Sequence, residues 1–365
     1  MKKNNMKGTT MKVILAGILS LIIAASSGCK NDVQIPESIP EAIEQLISAE
    51  SGTSEGTGEV SKPEQSQGAG FTVNGTQLID ANGNNFIMRG INHPHAWFTS
   101  QDDTALEAIA ATGANTVRIV CGSGQQYTKD TVESLNKVTD KCKELEMIAI
   151  LEVHDITGKD EVSLLKTTAD YWIEVKDALI GKEDNVILNI ANEWVGYWDG
   201  QTWCDGYTEV IPKLRQAGIK NTIMVDAAGW GQYGQSISDF GEKVLDSDPD
   251  GNTMFSVHMY GTAGKNKSTI AGNIKRATDK GLCIIVGEFG WNHSDGDVDE
   301  EYILEYCAEN GIGWLAWSWK GNGGGVEYLD LSNTWDGTSL SDWGKTVVES
   351  KNGIRKTSKK CSIFG

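Results

Sequence analysis

The sequence predicts a (β/α)8 TIM barrel entered through a short N-terminal β-hairpin, and three observations carry that prediction. Eight short apolar runs lie near 86–92, 114–120, 147–154, 186–193, 222–228, 253–260, 282–288 and 313–319. Most are separated by segments of helical periodicity, such as Asp130 to Leu145 and Val162 to Leu179. No Gly-x-Gly-x-x-Gly follows the first run and no ninth unit appears, which argues against a doubly wound open sheet. Runs this short, rich in Ile and Val and flanked by glycine, read as parallel strands covered on both faces. In such a barrel the chemistry gathers at the C-terminal ends of the strands.

The chain begins with Lys2, Lys3, Lys7 and Lys12, then the apolar run Val13 to Ala25 and Ser-Ser-Gly-Cys29, the layout of an export signal over residues 1–29. The run is shorter than the roughly 20 apolar residues of a membrane-spanning helix. Small residues directly before Cys29 resemble a bacterial lipoprotein signal, although Ser26 stands where Leu is usual, so Cys29 is expected to be acylated. Residues 30–70 are rich in Ser, Gly, Glu and Gln and read as a tether that buries too little to order itself. From Phe71 the alternation Phe71-Thr-Val-Asn-Gly-Thr-Gln-Leu-Ile-Asp80, with Asn74-Gly75 as its turn signal, predicts the hairpin. Residues 71–365 then form one catalytic domain.

Composition narrows the partners. The 365-residue chain carries a net charge of -18, which disfavours nucleic acid and anionic lipid surfaces, so membrane contact is expected only through the anchor at Cys29. Twelve tryptophans exceed the needs of one core, and aromatic faces suit neutral ring-shaped ligands. Those at strand ends, Trp97, Trp194, Trp198, Trp203, Trp230, Trp291 and Trp319, are candidate cleft platforms, whereas Trp172 and Trp343 fall on helices. Beyond Cys29, the cysteines at 121, 142, 204, 283, 307 and 361 form no Cys-x-x-Cys pair, so zinc is not expected and buried free thiols are.

Two apolar runs end in a carboxylate. Leu282-Cys-Ile-Ile-Val-Gly-Glu-Phe-Gly290 carries Glu288, and Val186-Ile-Leu-Asn-Ile-Ala-Asn-Glu-Trp194 carries Glu193. Residues two apart on a strand share a face. Parity aims Asn189 and Glu193 inward on the fourth strand, and Ser256, His258 and Tyr260 on the sixth. It aims Ile284, Val286 and Glu288 inward on the seventh, Glu152 and His154 on the third, and Arg118 on the second. Arg89 is also read as inward and as the partner of Glu152, with Arg118 joining.

Carboxyls on strands four and seven, held about 5 Å apart, have the separation of a retaining glycosidase. At an effective dielectric near 20 they would repel by about 3 kcal/mol, roughly two pKa units, so one keeps its proton near neutrality. Glu193 is assigned as acid/base, with Asn192 beside it as a donor to the sugar 2-hydroxyl. Glu288 is the nucleophile, held by Arg118 and Tyr260.

These residues resemble glycoside hydrolase family 5 of clan A: Asn192-Glu193, Gly287-Glu288-Phe289-Gly290, Arg89-Gly-Ile-Asn92 and Val257-His-Met-Tyr260 carry the likeness. Ile150-Leu-Glu-Val-His-Asp155, Asn192-Glu-Trp194, Asp226-Ala-Ala-Gly-Trp-Gly231 and Leu315-Ala-Trp-Ser-Trp-Lys-Gly-Asn322 resemble its bacterial endo-β-1,4-mannanases in particular. The resemblance implies that His93, Arg118, His154, Asn192, Glu193, His258, Tyr260, Glu288 and Trp317 hold the sugar being cleaved. Trp317 would be the floor beneath it and Trp97 would stack on the next. Taken with the N-terminal segment, the expectation is a monomeric enzyme, extracellular or at the cell surface, that cuts β-mannan without metal or organic cofactor. Trp194 stands where most of the wider family has Pro, a departure that matches the mannanase-like branch.

Three other readings compete. A β-1,4-glucanase of the same family would share the catalytic set. A surface glycan-binding protein without activity would have no use for the carboxylate pair. His93-x-His95 could open a metal-dependent amidohydrolase site, but no His lies on the fifth strand and the eighth ends in Trp317 and Trp319 instead of Asp. His95 and His293 read as plain loop residues.

Overall fold

The structure, a computed structural model, describes residues 70–365. Eight parallel strands close into a barrel: Arg89–His93, Thr116–Cys121, Ile148–Val153, Val186–Asn189, Ile223–Asp226, Thr253–Met259, Ile284–Phe289 and Gly313–Ala316. The last strand pairs with both the first and the seventh, so the sheet has no free edge. The expected hairpin is present as Thr72–Asn74 paired with Gln77–Ile79. Its two connecting residues are Gly75 and Thr76, with Gly75 at φ 59°, a conformation open to glycine at little cost. The export segment, Cys29 and the tether up to residue 69 lie outside the described residues.

Two apolar layers hold the barrel. The outer one packs strand residues such as Val117, Leu151, Leu188 and Val225 against the surrounding helices. The inner one, Ile148, Ile150, Ile187, Met224, Met254, Ile285 and Leu315, fills the lower barrel, and Phe71, Val73 and Leu78 of the hairpin close it from below. The hairpin is therefore a plug for an otherwise open apolar end. Helix starts are set by side-chain caps: Thr131 and Ser134 form a capping box before Val132–Glu144, and Asp199 caps Gly200–Gln216.

One strand in the opposite phase to that predicted and two departures from strict alternation decide what reaches the mouth. On the first strand Ile91 packs in the outer layer while Asn92 turns inward, so Arg89 and His93 face outward. The pairing of Arg89 with Glu152 is thus overturned: Arg89 donates to the carbonyls of Met88 and Ile312 and to Thr357, and lies over Trp314. On the seventh strand Ile285 is the inner residue and Ile284 and Val286 are outer, the reverse of the predicted phase. The register slips by one between Val257–Val286 and His258–Glu288, so Gly287 is the extra residue of a bulge that restores Glu288 to the inside. On the fourth strand both Ile190 and Ala191 pack outward, and Asn192 and Glu193 then both point into the mouth. Glu193 adopts φ 48°, which breaks the alternation.

All six described cysteines are buried free thiols, as expected. No described helix is long and apolar enough to cross a membrane.

Candidate active site

Arg118, fully buried on the second strand, organises the mouth of the barrel. Its Nε donates to Asn189 (2.9 Å), Nη1 to Asn92 (3.0 Å) and Glu288 Oε1 (2.7 Å), and Nη2 to Asn192 (2.7 Å) and Asp226 Oδ2 (3.2 Å). Those bonds use all five guanidinium N–H groups, which a buried cation requires. Glu152 adds a third carboxylate at 3.7 Å. Burial alone would weaken the guanidinium's hold on its proton, but Glu152, Asp226 and Glu288 outweigh it and raise the pKa. Burial would likewise lift Asp226, but His258 and Arg118 hold it well below the usual carboxylate range.

Glu288 is held from both sides, Oε1 by Arg118 and Oε2 by the Tyr260 hydroxyl at 2.8 Å. Glu193 has one hydrogen-bonded carboxylate oxygen, to His258 Nδ1 at 2.8 Å, and its backbone N–H donates to Asp226 Oδ2 at 3.1 Å. Carboxylate oxygens of Glu193 and Glu288 and a ring nitrogen of His258 all lie within 4.8 Å of one another. Burial is the largest influence on Glu193 and, with the neighbouring charge of Glu288, raises its pKa above the ordinary glutamate value despite the bond from His258. For His258, burial acts downward but the carboxylates of Glu288 and Asp226 and its bonds to Asp226 and Glu193 push it up to about 10. Two carboxyls with oxygens within 4.8 Å, one of them inclined to keep its proton, can serve acid/base and nucleophile in turn.

The pair opens into a cleft of about 490 Å³ lined by His154, Asn192, Tyr260 and Trp317, with Trp198 and Trp230 at its rim. A second arm of about 350 Å³, lined by Trp97, Phe98 and Asn322, joins it at Trp317.

The profile "Cellulase (glycosyl hydrolase family 5)" matches residues 79–323 of this chain. The chain belongs to glycosyl hydrolase family 5. Among its family 5 relatives is the mannan endo-1,4-beta-mannosidase of Salipaludibacillus agaradhaerens, 55% identical over 81% of this chain and 96% of that protein. The mannan endo-1,4-beta-mannosidase of Streptomyces lividans is 40% identical over 88% of this chain and 82% of that protein. The solved beta-mannanase from Thermomonospora fusca superimposes with a TM-score of 0.78 at 42% identity, covering 82% of this chain and all of that one.

Eight of the sugar-contacting and catalytic candidates, Arg118, His154, Asn192, Glu193, His258, Tyr260, Glu288 and Trp317, converge within this family 5 cleft. His154 is fixed by Nδ1 on Glu152 (2.9 Å) and stacks on Trp317 at 5.7 Å. Burial lowers and Glu152 raises its pKa, the net being upward. Trp317 anchors its indole N–H on Asn322 (2.8 Å). Trp97, partly exposed, stands edge-on to His154 at 5.1 Å and lines the second arm.

His93 is a correction. It is wholly buried on the outward face of the first strand, bonded through Nε2 to Asp102 at 2.9 Å, and does not line the cleft. His95 is also no plain loop residue: it bridges Asp102 (2.9 Å) and Asp130 (3.1 Å) in the same buried chain. Trp194, Trp203 and Trp319 are fully buried and serve the core, while Trp97, Trp198, Trp230 and Trp291 are exposed. Sequence reasoning placed Asn189 inward by parity but gave no role to Asp226 or Asn92. Asp226 had a usable signal, a lone carboxylate closing the apolar run Ile223-Met-Val, the same form that exposed Glu288.

Proposed function

We propose that the chain is a retaining endo-β-1,4-mannanase acting on internal bonds of mannan, glucomannan or galactomannan. The observation that carries this reading is the approach of Glu193 and Glu288 carboxylate oxygens to within 4.8 Å, at the spacing of a two-step displacement. Relatives 40% to 55% identical and named as mannan endo-1,4-beta-mannosidases support the substrate. Glu193 donates its proton to the glycosidic oxygen as that bond breaks, while Glu288 forms a bond to the anomeric carbon. Glu193, now a carboxylate, takes a proton from water, whose oxygen displaces Glu288 and restores both groups. Arg118 and Tyr260 keep Glu288 aimed, and His258 orients Glu193. Asn192, its Oδ1 accepting from Arg118 and its Nδ2 donating to Thr157 at 3.0 Å, offers the remaining Nδ2–H to the sugar 2-hydroxyl, with Trp317 as floor and Trp97 beneath the next sugar.

A β-1,4-glucanase is the second reading, raised by a relative named "Beta-mannanase/endoglucanase A", 40% identical over 80% of this chain and 22% of that protein. Parallel rates on galactomannan, glucomannan and carboxymethylcellulose separate the two. Release of reducing sugar from mannan also excludes a glycan-binding protein without activity, and its absence would refute the proposal.

We further infer export and attachment to the cell surface through acylated Cys29, from the basic and apolar segment that precedes it. Labelling with a radioactive fatty acid tests this: wild type incorporates label, Cys29→Ala does not, and unlabelled wild type would refute it. A monomer is inferred as well, and its mass in solution checks that.

A further inference from the structure

Asp226 is a fully buried carboxylate that no step of the proposed cycle uses. Burying a charge is costly unless it is compensated, so the groups it faces are informative. It closes the fifth strand, and its carbonyl accepts the indole N–H of Trp203 at 2.7 Å, which ties its backbone to the core. One carboxylate oxygen, Oδ2, meets three groups of the site: the Arg118 guanidinium at 3.2 Å, the peptide N–H of Glu193 at 3.1 Å and Nε2 of His258 at 3.5 Å. Glu152 and Glu288 already give Arg118 its counter-charge. The other two contacts both lead to the acid.

The first fixes the acid's main chain. Glu193 stands at φ 48°, where a residue with a side chain is strained, and Asp226 accepts the N–H of that same residue. The second bears on the ring that holds the acid's side chain. Nδ1 of His258 lies 2.8 Å from Glu193 Oε1 and 3.6 Å from Glu288 Oε2, and Nε2 faces Asp226, so carboxylates flank both edges of the imidazole. Arg118 sits between Asp226 and Glu288, and the loop after the fifth strand brings only Gly231 against the ring. A neutral imidazole has one N–H and one acceptor nitrogen, and a carboxylate is met favourably only by the N–H. Carboxylates on both edges therefore favour the doubly protonated ring, in keeping with the upward shift of His258, which burial opposes and Glu288 and Asp226 outweigh. A neutral ring can instead turn Nδ1 into an acceptor, which would hold back the proton that Glu193 must give to the glycosidic oxygen.

We propose that Asp226 is a positioning residue for the acid: it fixes the peptide of Glu193 and keeps the His258 ring a donor at both nitrogens, so that a cation meets the negative charge growing on Glu193 as its proton leaves. This rests on the retaining mannanase reading above. The proton passes from Glu193 to the glycosidic oxygen, and His258 keeps both of its own throughout. A donor that is already charged and already aimed needs no reorganisation at the moment of transfer.

The test compares mannopentaose, whose leaving sugar needs the proton, with 2,4-dinitrophenyl β-mannobioside, whose leaving phenolate does not. In Asp226→Asn, which keeps the shape and an acceptor oxygen but not the charge, the ratio of kcat/KM for mannopentaose to that for the aryl substrate falls by about tenfold, the difference between a charge-assisted hydrogen bond and a neutral one. Asp226→Ala, which also frees the Glu193 peptide, lowers the ratio at least as far. A residue that only stabilised the barrel, or acted only on Arg118 and the nucleophile, would lower both rates alike, so an unchanged ratio in the two variants overturns the proposal. Nitrogen NMR of histidine-labelled wild-type protein tests it without a variant: at pH 8 the His258 ring carries both protons, and a singly protonated ring overturns the proposal. In Asp226→Asn the ring loses its second proton at lower pH than in wild type. Failure of the mannanase reading looks different, because wild-type protein would then release nothing from either substrate.

Discussion

Removing the Tyr260 hydroxyl isolates one step of the proposed cycle. The hydroxyl donates to Glu288 Oε2 at 2.8 Å, while Arg118 holds Oε1 at 2.7 Å. The Tyr260 ring is fixed independently, tilted against His293 at 4.5 Å and packed with Val120, Trp317 and Leu329, so Tyr260→Phe deletes a donor without moving a wall. In the first step Glu288 loses charge as it bonds to the sugar, so donors on its oxygens favour the starting carboxylate at least as much as the transition state. In the second step the carboxylate is the leaving group and gains charge, and the same donors accelerate its departure. A hydrogen bond to a charged group contributes about 1.5–3 kcal/mol, or roughly 10- to 150-fold in rate. Tyr260→Phe should therefore lower kcat on mannan within that range, with KM falling alongside and kcat/KM changing much less, because the glycosyl-enzyme accumulates. Stopped-flow kinetics with an activated aryl mannoside should show a burst of about one equivalent. An equal fall in kcat and kcat/KM with no burst would refute the assignment of Tyr260 to the second step. An unchanged kcat would refute any catalytic part for it.

Other changes are read more simply. Glu193→Gln cannot donate a proton and should lose roughly 10²- to 10⁴-fold on mannan. Because Glu193 titrates above the usual glutamate range, wild-type kcat/KM should fall as pH rises through that pKa, and a pH profile of Glu193→Gln should lack this limb. Arg118→Met leaves Glu288, Asp226 and Glu152 buried without their cation, which costs about 3–5 kcal/mol and should appear in urea denaturation as well as in lost activity. His95 offers a test of stability away from the cleft. Burial depresses its pKa, but Asp102 and Asp130 raise it to about 9. Its proton thus stabilises the fold fully below the unfolded value near 6.5, and about 3 kcal/mol is lost as pH rises through 9. Thermal melts between pH 6 and 10 should decline less steeply in His95→Gln, and parallel slopes would contradict the bridging role.

Regular features were legible in the sequence for a simple reason: short apolar runs alternating with helical periodicity admit few closed solutions, and all eight strands fell on their predicted runs. The second, third, sixth and eighth strands follow strict alternation, so Arg118, Glu152 and His258 were placed by parity, while Trp317 came from the family resemblance. His93 was placed in the cleft by the resemblance and Arg89 was read inward by parity, but both face outward, where the charge of Arg89 finds its partners on backbone carbonyls and Thr357. A long cation near a strand start can be satisfied on either face, and the sequence holds no sign of which. The buried tryptophans escaped for a related reason. Trp203 and Trp319 sit beyond strand ends, but each indole N–H finds a carbonyl, Asp226 and Trp335 respectively, which makes burial tolerable.

The failures of alternation at the two catalytic positions are of another kind. Glu193 arrives by a left-handed residue and Glu288 by a bulge at Gly287, and without these breaks the mouth would lose a group from each strand. Strict parity on the fourth strand admits Glu193 only by turning Asn192 outward; the left-handed turn brings both in, one to the acid role and one to Arg118. Strict parity above Ile285 would aim Gly287 inward and Glu288 at the helices. A regular barrel presents every second residue, too sparse a set to crowd an acid, a nucleophile, a histidine and an arginine within hydrogen-bonding distance. Each irregularity is held by the neighbours it creates: Asp226 takes the N–H of Glu193, and Asn92 donates to the carbonyl of Gly287. The strained backbone and the dense charge are therefore one feature, and local regularity gives way where the chemistry needs more side chains than a strand can offer.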